Sequence, residues 1–135
     1  MERSATFSYR FTVPKEAIDF NGHVGNVTYL QWMIEAATAH SESVGWGFEA
    51  CKEAGGTWVA KSHHIEYRHP AFENDILLMK TWLEPIGKIK AVRRYEIIRE
   101  TDETLICEGE TEWIFVDIKS MRPMRIPRHI VESFA

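Results

Sequence analysis

The segment from Asn26 to Ser43 constrains this chain more than any other. Its polar residues Thr28, Gln31, Glu35, Thr38 and Glu42 recur at steps of three and four, so on a helix they form one narrow stripe. The rest of the circumference carries Val27, Tyr29, Leu30, Trp32, Met33, Ile34, Ala36 and Ala37. A helix lying on a protein surface shows the reverse proportion. This one is expected to be covered by other structure over most of its girth, with Asn26 as its N-cap. A chain of 135 residues has room for one core, so residues 1–135 are expected to form a single domain around this helix.

The material available to cover the helix reads as strands. Phe7, Tyr9, Phe11 and Val13 alternate with Ser8, Arg10 and Thr12 until Pro14 ends the run. Residues 57–68, 75–84, 89–100 and 104–117 read the same way, with a short helix over 48–54 before them. In the last strand Glu108, Glu110 and Glu112 point one way while Cys107, Thr111, Trp113 and Phe115 point the other. Pro85, Ile86 and Gly87, and Thr101, Asp102 and Glu103, are turn-formers between strands. Connections this short exclude parallel crossovers, so the four strands are expected to run as an antiparallel meander. The fold class is α+β: one antiparallel sheet wrapped around one long helix, the sheet's other face wet or at a subunit contact. A short closing helix is expected near Pro127.

Twenty acidic residues against sixteen basic ones leave a net charge of −4, which disfavours nucleic acid as a partner. No run approaches the length of a membrane span, and the first residues lack the apolar stretch of a secretory signal. Cys51 and Cys107 have no metal-ligand or redox spacing, which suits idle thiols in a reducing, cytoplasmic setting.

Reactive residue types concentrate in Asp19-Phe20-Asn21-Gly22-His23-Val24-Gly25-Asn26, which feeds directly into the start of the helix. Free N–H groups and the dipole at such a terminus favour developing negative charge on a carbonyl oxygen. Asp19 is a candidate nucleophile or base for water, and His23 a proton donor near neutrality. Gly22 and Gly25 allow a substrate close to the backbone. The same residues also make an ordinary turn and cap without any catalysis.

The spacing of Asp19, Gly22, Val24 and Tyr29, followed by Leu30-Gln31-Trp32-Met33-Ile34-Glu35-Ala36, resembles the hot-dog-fold acyl-CoA thioesterases of the 4-hydroxybenzoyl-CoA thioesterase type. The form Asp-x-Asn-x-His-Val-x-Asn-x-x-Tyr, Asp19 to Tyr29, is also similar to acyl-carrier-protein thioesterases. Stretches around Ile65 to Leu77 and Val116 to Pro127 resemble further parts of the family. The resemblance implies hydrolysis of an acyl-CoA or acyl-carrier-protein thioester without a cofactor. It implies Asp19 as the catalytic carboxylate, the backbone N–H of Asn26 as the carbonyl-polarising donor, and Asn21 and His23 as polar site positions. It further implies a homodimer or homotetramer with sites between subunits. Pro70-Ala71 departs from the acyl-carrier-protein pattern, where an acidic or thiol residue is expected.

Other candidates carry two readings each. Glu35, on the polar stripe, either orients water or a subunit partner, or is an ion-paired helix carboxylate. Ser62 and His64 either line an acyl pocket or are plain strand residues. His63 and His64 face opposite sides of a strand, which argues against a shared metal, with His69, His23 and His40 as the other histidines considered. Lys88, Lys90, Arg93 and Arg94 are expected to pair across to Glu108, Glu110 and Glu112. Arg122, Arg125 and Arg128 are candidates for coenzyme A phosphates. Gly109, inside an alternating strand, marks a bulge or a close approach. Two other functions fit the same loop: a hot-dog dehydratase or hydratase, and a non-catalytic acyl-binding module.

Overall fold

Alternating burial carries five segments into one antiparallel sheet. They are β1 (Phe7–Thr12), β2 (Gly56–Tyr67), β3 (Ile76–Ile86), β4 (Lys90–Arg99) and β5 (Thr104–Asp117), seen in a computed structural model that describes residues 3–135. The pattern is cleanest in β3, where Leu77, Met79, Thr81 and Leu83 face the core and their neighbours do not. The helices are α1 (Asn26–Ser43), α2 (Phe48–Glu53) and α3 (Arg128–Ser133). The architecture is the expected α+β arrangement of one sheet around one long helix.

The strand order is β1-β3-β4-β5-β2. Strands β3, β4 and β5 form the meander, but β2 pairs with β5 at the far edge and does not touch β3. The expectation of a four-strand meander is corrected in that respect. Long ladders decide it: β2 matches β5 over nearly its whole length, and the link from Arg68 to Asp75 carries the chain from that edge of the sheet to β3. Pro85 and Ile86 belong to β3, so the turn lies at Gly87, which has φ 69.

One face of α1 is buried: Tyr29, Met33, Ala36, Ala37 and His40. Together with Leu77, Met79, Ile97, Ile106 and Cys107 the first four of these make the larger core. Each large apolar side chain removed from water there contributes about 1.5–3 kcal/mol. The polar stripe faces outward as expected, but the sheet does not enclose the rest of the helix, and Val27 is 72% exposed. A five-stranded sheet curls against one side of a helix, so within one chain the flanks stay open. A second core, with Cys51, Leu83, Phe115, Ile130 and Phe134, closes the end of the sheet under α2 and α3.

Gly109 marks a close approach and not a bulge. It pairs regularly with Ile65 and Tyr95, and a Cβ there would lie 2.9 Å from the His64 carbonyl oxygen and 3.2 Å from Met33 Cε. The irregularities fall at Lys61 and at Ile106 instead. On the outer face, Arg94 pairs with Glu84 and Glu110, Arg68 with Glu66 and Glu108, and Lys90 with Glu112. Arg93 departs from the expected pairing: it points inward and is 2% exposed. Cys51 and Cys107 are free and buried, and burial pushes the Cys107 thiol up to about 12.

Candidate active site at the start of the long helix

The loop before α1 is closed by its own backbone. Ile18 and Val24 bridge, the Asp19 N–H donates to the His23 carbonyl at 2.9 Å, and the Gly22 N–H donates to the Asp19 carbonyl at 3.0 Å. Gly22 has φ 81, a left-handed conformation that a glycine adopts without strain. The Asn21 N–H donates to Asp19 Oδ1 at 2.8 Å, an Asx turn that fixes the carboxylate. Val24 N–H donates to the Ala71 carbonyl and Gly25 N–H to the Ala17 carbonyl, at 2.9 and 3.1 Å. Those bonds anchor the loop to the core on both sides.

Gly25, not Asn26, is the N-cap; its backbone is extended (φ −71, ψ 147) and no side chain caps the helix. Asn26 is the first helical residue. The correction sharpens the chemistry. Among the described residues the N–H groups of Asn26 and Val27 have no acceptor, and the helix carries roughly half a positive charge at this end. A Cβ built on Gly25 would lie 3.5 Å from both Cβ and Oδ2 of Asp19, so the carboxylate lies directly against the helix entry.

His23 is half-buried beside it, its Nδ1 3.1 Å from the Val24 carbonyl. With a proton on Nδ1 donated there, Nε2 is left free. Tyr67 reaches the same place from the end of β2: its hydroxyl donates to the Asn26 carbonyl at 3.2 Å, and its ring packs 5.6 Å from that of Tyr29. Burial raises the Tyr67 hydroxyl, with Cys107 adding to it, so the proton is retained. Around this entry Phe20, Val27, Tyr67 and Phe72 are exposed apolar residues. Sequence reading missed Tyr67, because it looks like an ordinary strand residue. Phe20 was detectable as the one large apolar residue in a polar loop.

The remaining candidates lie elsewhere. Glu35 is exposed, nine residues beyond Asn26 and thus about 13 Å along the helix. Its charge adds to burial in raising the Tyr9 hydroxyl, which places it on the β1 side. Ser62 and His64 are in register with Glu112 and Glu110, on the sheet face away from α1, where His64 Nε2 meets Glu66 Oε1 at 3.3 Å. His63 is the inward residue, bonded through Nδ1 to Thr111 Oγ1 at 2.8 Å. Arg122 and Arg125 are exposed and have no acidic partner among the described residues. They flank the far end of β2, where Gly56 pairs with Asp117 and Asp117 N–H donates to the Arg122 carbonyl at 2.8 Å. Tyr67 is at the opposite end, roughly 36 Å along the strand. One chain therefore brings Asp19, Asn21, His23, Gly25 and Asn26 together, and not Glu35, Ser62, His64 or the tail arginines.

The chain is similar to known proteins over nearly its whole length. It is 25% identical over 142 residues to the chloroplastic oleoyl-acyl carrier protein thioesterase of Coriandrum sativum; the match covers 98% of this chain but only 38% of that one. It superposes on a 1,4-dihydroxy-2-naphthoyl-CoA thioesterase from Synechocystis with a TM-score of 0.88 at 19% identity, covering 96% of both chains. The DHNA-CoA thioesterase of Staphylococcus aureus gives a TM-score of 0.80 at 21% identity, covering 92% of this chain and 83% of that one. These superpositions establish the hot-dog fold. No helix is long and apolar enough to cross a membrane among the described residues. A family model for the thioesterase-like superfamily matches residues 13–134, and the chain belongs to that superfamily.

Proposed function

We propose that the chain hydrolyses the thioester bond of an acyl-CoA or acyl-carrier-protein substrate, giving a free carboxylic acid and a thiol. The observation that carries this reading is the Asp19 carboxylate held against a helix entry whose Asn26 and Val27 N–H groups are unengaged among the described residues. Membership of the thioesterase-like superfamily supports it. The acyl carbonyl oxygen is seated on the Asn26 N–H, which polarises it and stabilises the oxyanion as the carbon becomes tetrahedral. Asp19 acts on that carbon in one of two ways. It attacks directly, forming a mixed anhydride that water then opens, or it takes a proton from an attacking water. In both routes the C–S bond breaks and the departing sulfur leaves with a proton. His23 is within the same loop to supply or relay that proton, and Asn21 holds the carboxylate through its N–H.

The complete site is formed by two copies. Strand β2 is a sheet edge of twelve residues, and its residues 59–64 are all exposed. A long open edge is a template for another strand. Two copies joined antiparallel about the middle of β2 place Tyr67 of one opposite Gly56 of the other. The helix entry of one copy then adjoins the exposed Arg122 and Arg125 of the second, which suit the phosphates of coenzyme A. The assembly is a homodimer, or a tetramer of two such pairs.

Release of free thiol from a panel of acyl-CoA thioesters, aliphatic and aromatic, tests the activity. Turnover of at least one thioester, lost in Asp19→Asn, is the expected result. Wild-type rates in that variant, or no hydrolysis of any thioester, overturn the proposal.

A further inference from the structure

A cavity of about 170 Å³ opens beside the C-terminal half of α1, away from the loop of Asp19. Its walls include Ala37, Phe48, Trp58, Leu83, Trp113 and Phe134, and Arg93 is part of the lining. A volume near this size is enough for one benzene ring in a dry apolar pocket. The lining residues of α1 begin eleven positions beyond Asn26, about 16 Å along the same helix, so the cavity is separate from the helix entry within one chain.

The cation in this wall has no counter-charge among the described residues. Arg93 is 2% exposed, and no carboxylate pairs with it among the described residues. Both of its hydrogen bonds leave from one nitrogen: Nη1 donates to His40 Nδ1 at 2.9 Å and to Thr81 Oγ1 at 3.2 Å. His40 is itself buried and held neutral, its pKa lowered to about 4 by burial and then by Arg93. The Phe134 ring lies 5.8 Å from the guanidinium carbon, a further neutral neighbour. No sealed side-chain nitrogen lacks a partner among the described residues, so Nε and Nη2 are not walled in by protein. Those two nitrogens form the edge of a guanidinium that grips a carboxylate with two parallel hydrogen bonds. Buried charges are otherwise paired, because an isolated one is costly to remove from water.

We propose that this cavity is a binding site for a small organic carboxylate, an aromatic ring or short aliphatic chain in the apolar part and the carboxylate on Nε and Nη2 of Arg93. Trp58 and Trp113, neighbours on one face of the sheet, form a wall for the apolar body, and the charge completes an ion pair left open among the described residues. Neutral molecules of the same shape fill the walls but forgo the pair, so the site selects by charge.

The full-length protein titrated with benzoate and with benzamide, followed by tryptophan fluorescence and calorimetry, tests this. Saturable benzoate binding is expected, with benzamide weaker by roughly tenfold or more, the worth of a charge-assisted pair. Arg93→Met is expected to abolish the preference for benzoate. Because that variant can fail to fold, Thr38→Trp is the second arm: Thr38 is exposed at the cavity mouth, and a bulky ring there blocks entry without touching the core. Loss of binding with an unchanged melting temperature is expected for it. Equal affinity for the two ligands, no saturable binding, or undiminished binding in Thr38→Trp overturns the proposal. None of these readouts depends on thioester turnover.

Discussion

Arg93 and His40 meet inside the protein, Nη1 to Nδ1 at 2.9 Å, with the imidazole accepting and therefore neutral. Phe7 stacks on the imidazole at 5.1 Å and Phe134 meets it edge-on at 5.0 Å. Burial foremost, and the Arg93 charge after it, lower the His40 pKa from 6.5 to about 4. In the unfolded chain His40 binds a proton near its ordinary pKa, so between those values the unfolded state holds more protons. Stability is then full above about pH 6.5 and falls as pH drops towards 4, by on the order of 3 kcal/mol. Urea unfolding at pH 7.5, 6 and 4.5 measures this. His40→Gln, which keeps an acceptor for Arg93, is expected to flatten the slope in that window. The exposed carboxylates Asp102 and Asp117, lowered by their hydrogen bonds, act only at lower pH.

Asp19→Asn is expected to reduce thioester hydrolysis by roughly 10²–10⁴-fold, the range for losing a group that acts in the transition state. The amide oxygen of Asn still accepts from the Asn21 N–H, so the loop and melting temperature are expected to stay unchanged. Thiol release together with a thermal melt separates lost chemistry from lost fold.

The Asp19 loop stands out as a candidate in the sequence because its reactive types are contiguous: eight residues carry the carboxylate, the imidazole and both glycines. The helix after it and β5 were found with the boundaries they have, because the period of the helix is sustained over eighteen residues and β5 alternates through most of its length despite the irregularity at Ile106. Position across the sheet was not accessible in the same way. Arg93 and Arg94 are neighbours of the same type, and only the register of β4 decides which faces the core. Ser62 and His64 went to the outer face for the same reason, a one-residue question of register. Tyr67 reaches the candidate site through a contact 41 residues away, which no local pattern encodes. The pairing of β2 with β5 is equally non-local, so the meander was extended one strand too far.

Gly109→Ala is expected to destabilise the fold by about 1–3 kcal/mol, the usual cost of forcing extra volume into a packed core. The added methyl meets a backbone atom that cannot swing aside, the His64 carbonyl oxygen at 2.9 Å, as well as Met33 Cε at 3.2 Å and Ile65 Cγ1 at 3.3 Å. Met33→Ala in the same chain removes one of these three contacts. Urea denaturation of the single and double variants is expected to show a smaller penalty for Gly109→Ala in the Met33→Ala background, a coupling that independent sites would not give.

The strongest test of a site shared by two copies is complementation. Asp19→Asn removes the carboxylate, and the double change Arg122→Ala with Arg125→Ala removes the proposed phosphate contacts; each protein alone is expected to be weak at low acyl-CoA concentration. When equal amounts are unfolded together and refolded, half of the dimers are mixed. Each mixed dimer has one site with both defects and one site with neither, because the helix entry and the tail arginines come from different copies. About a quarter of wild-type activity should therefore return. If the arginines instead served the Asp19 loop of their own chain, every site in the mixture would carry one defect or the other, and no activity would return. The mixed-dimer outcome is the expected one because Arg122 and the helix entry of one chain lie at opposite ends of β2.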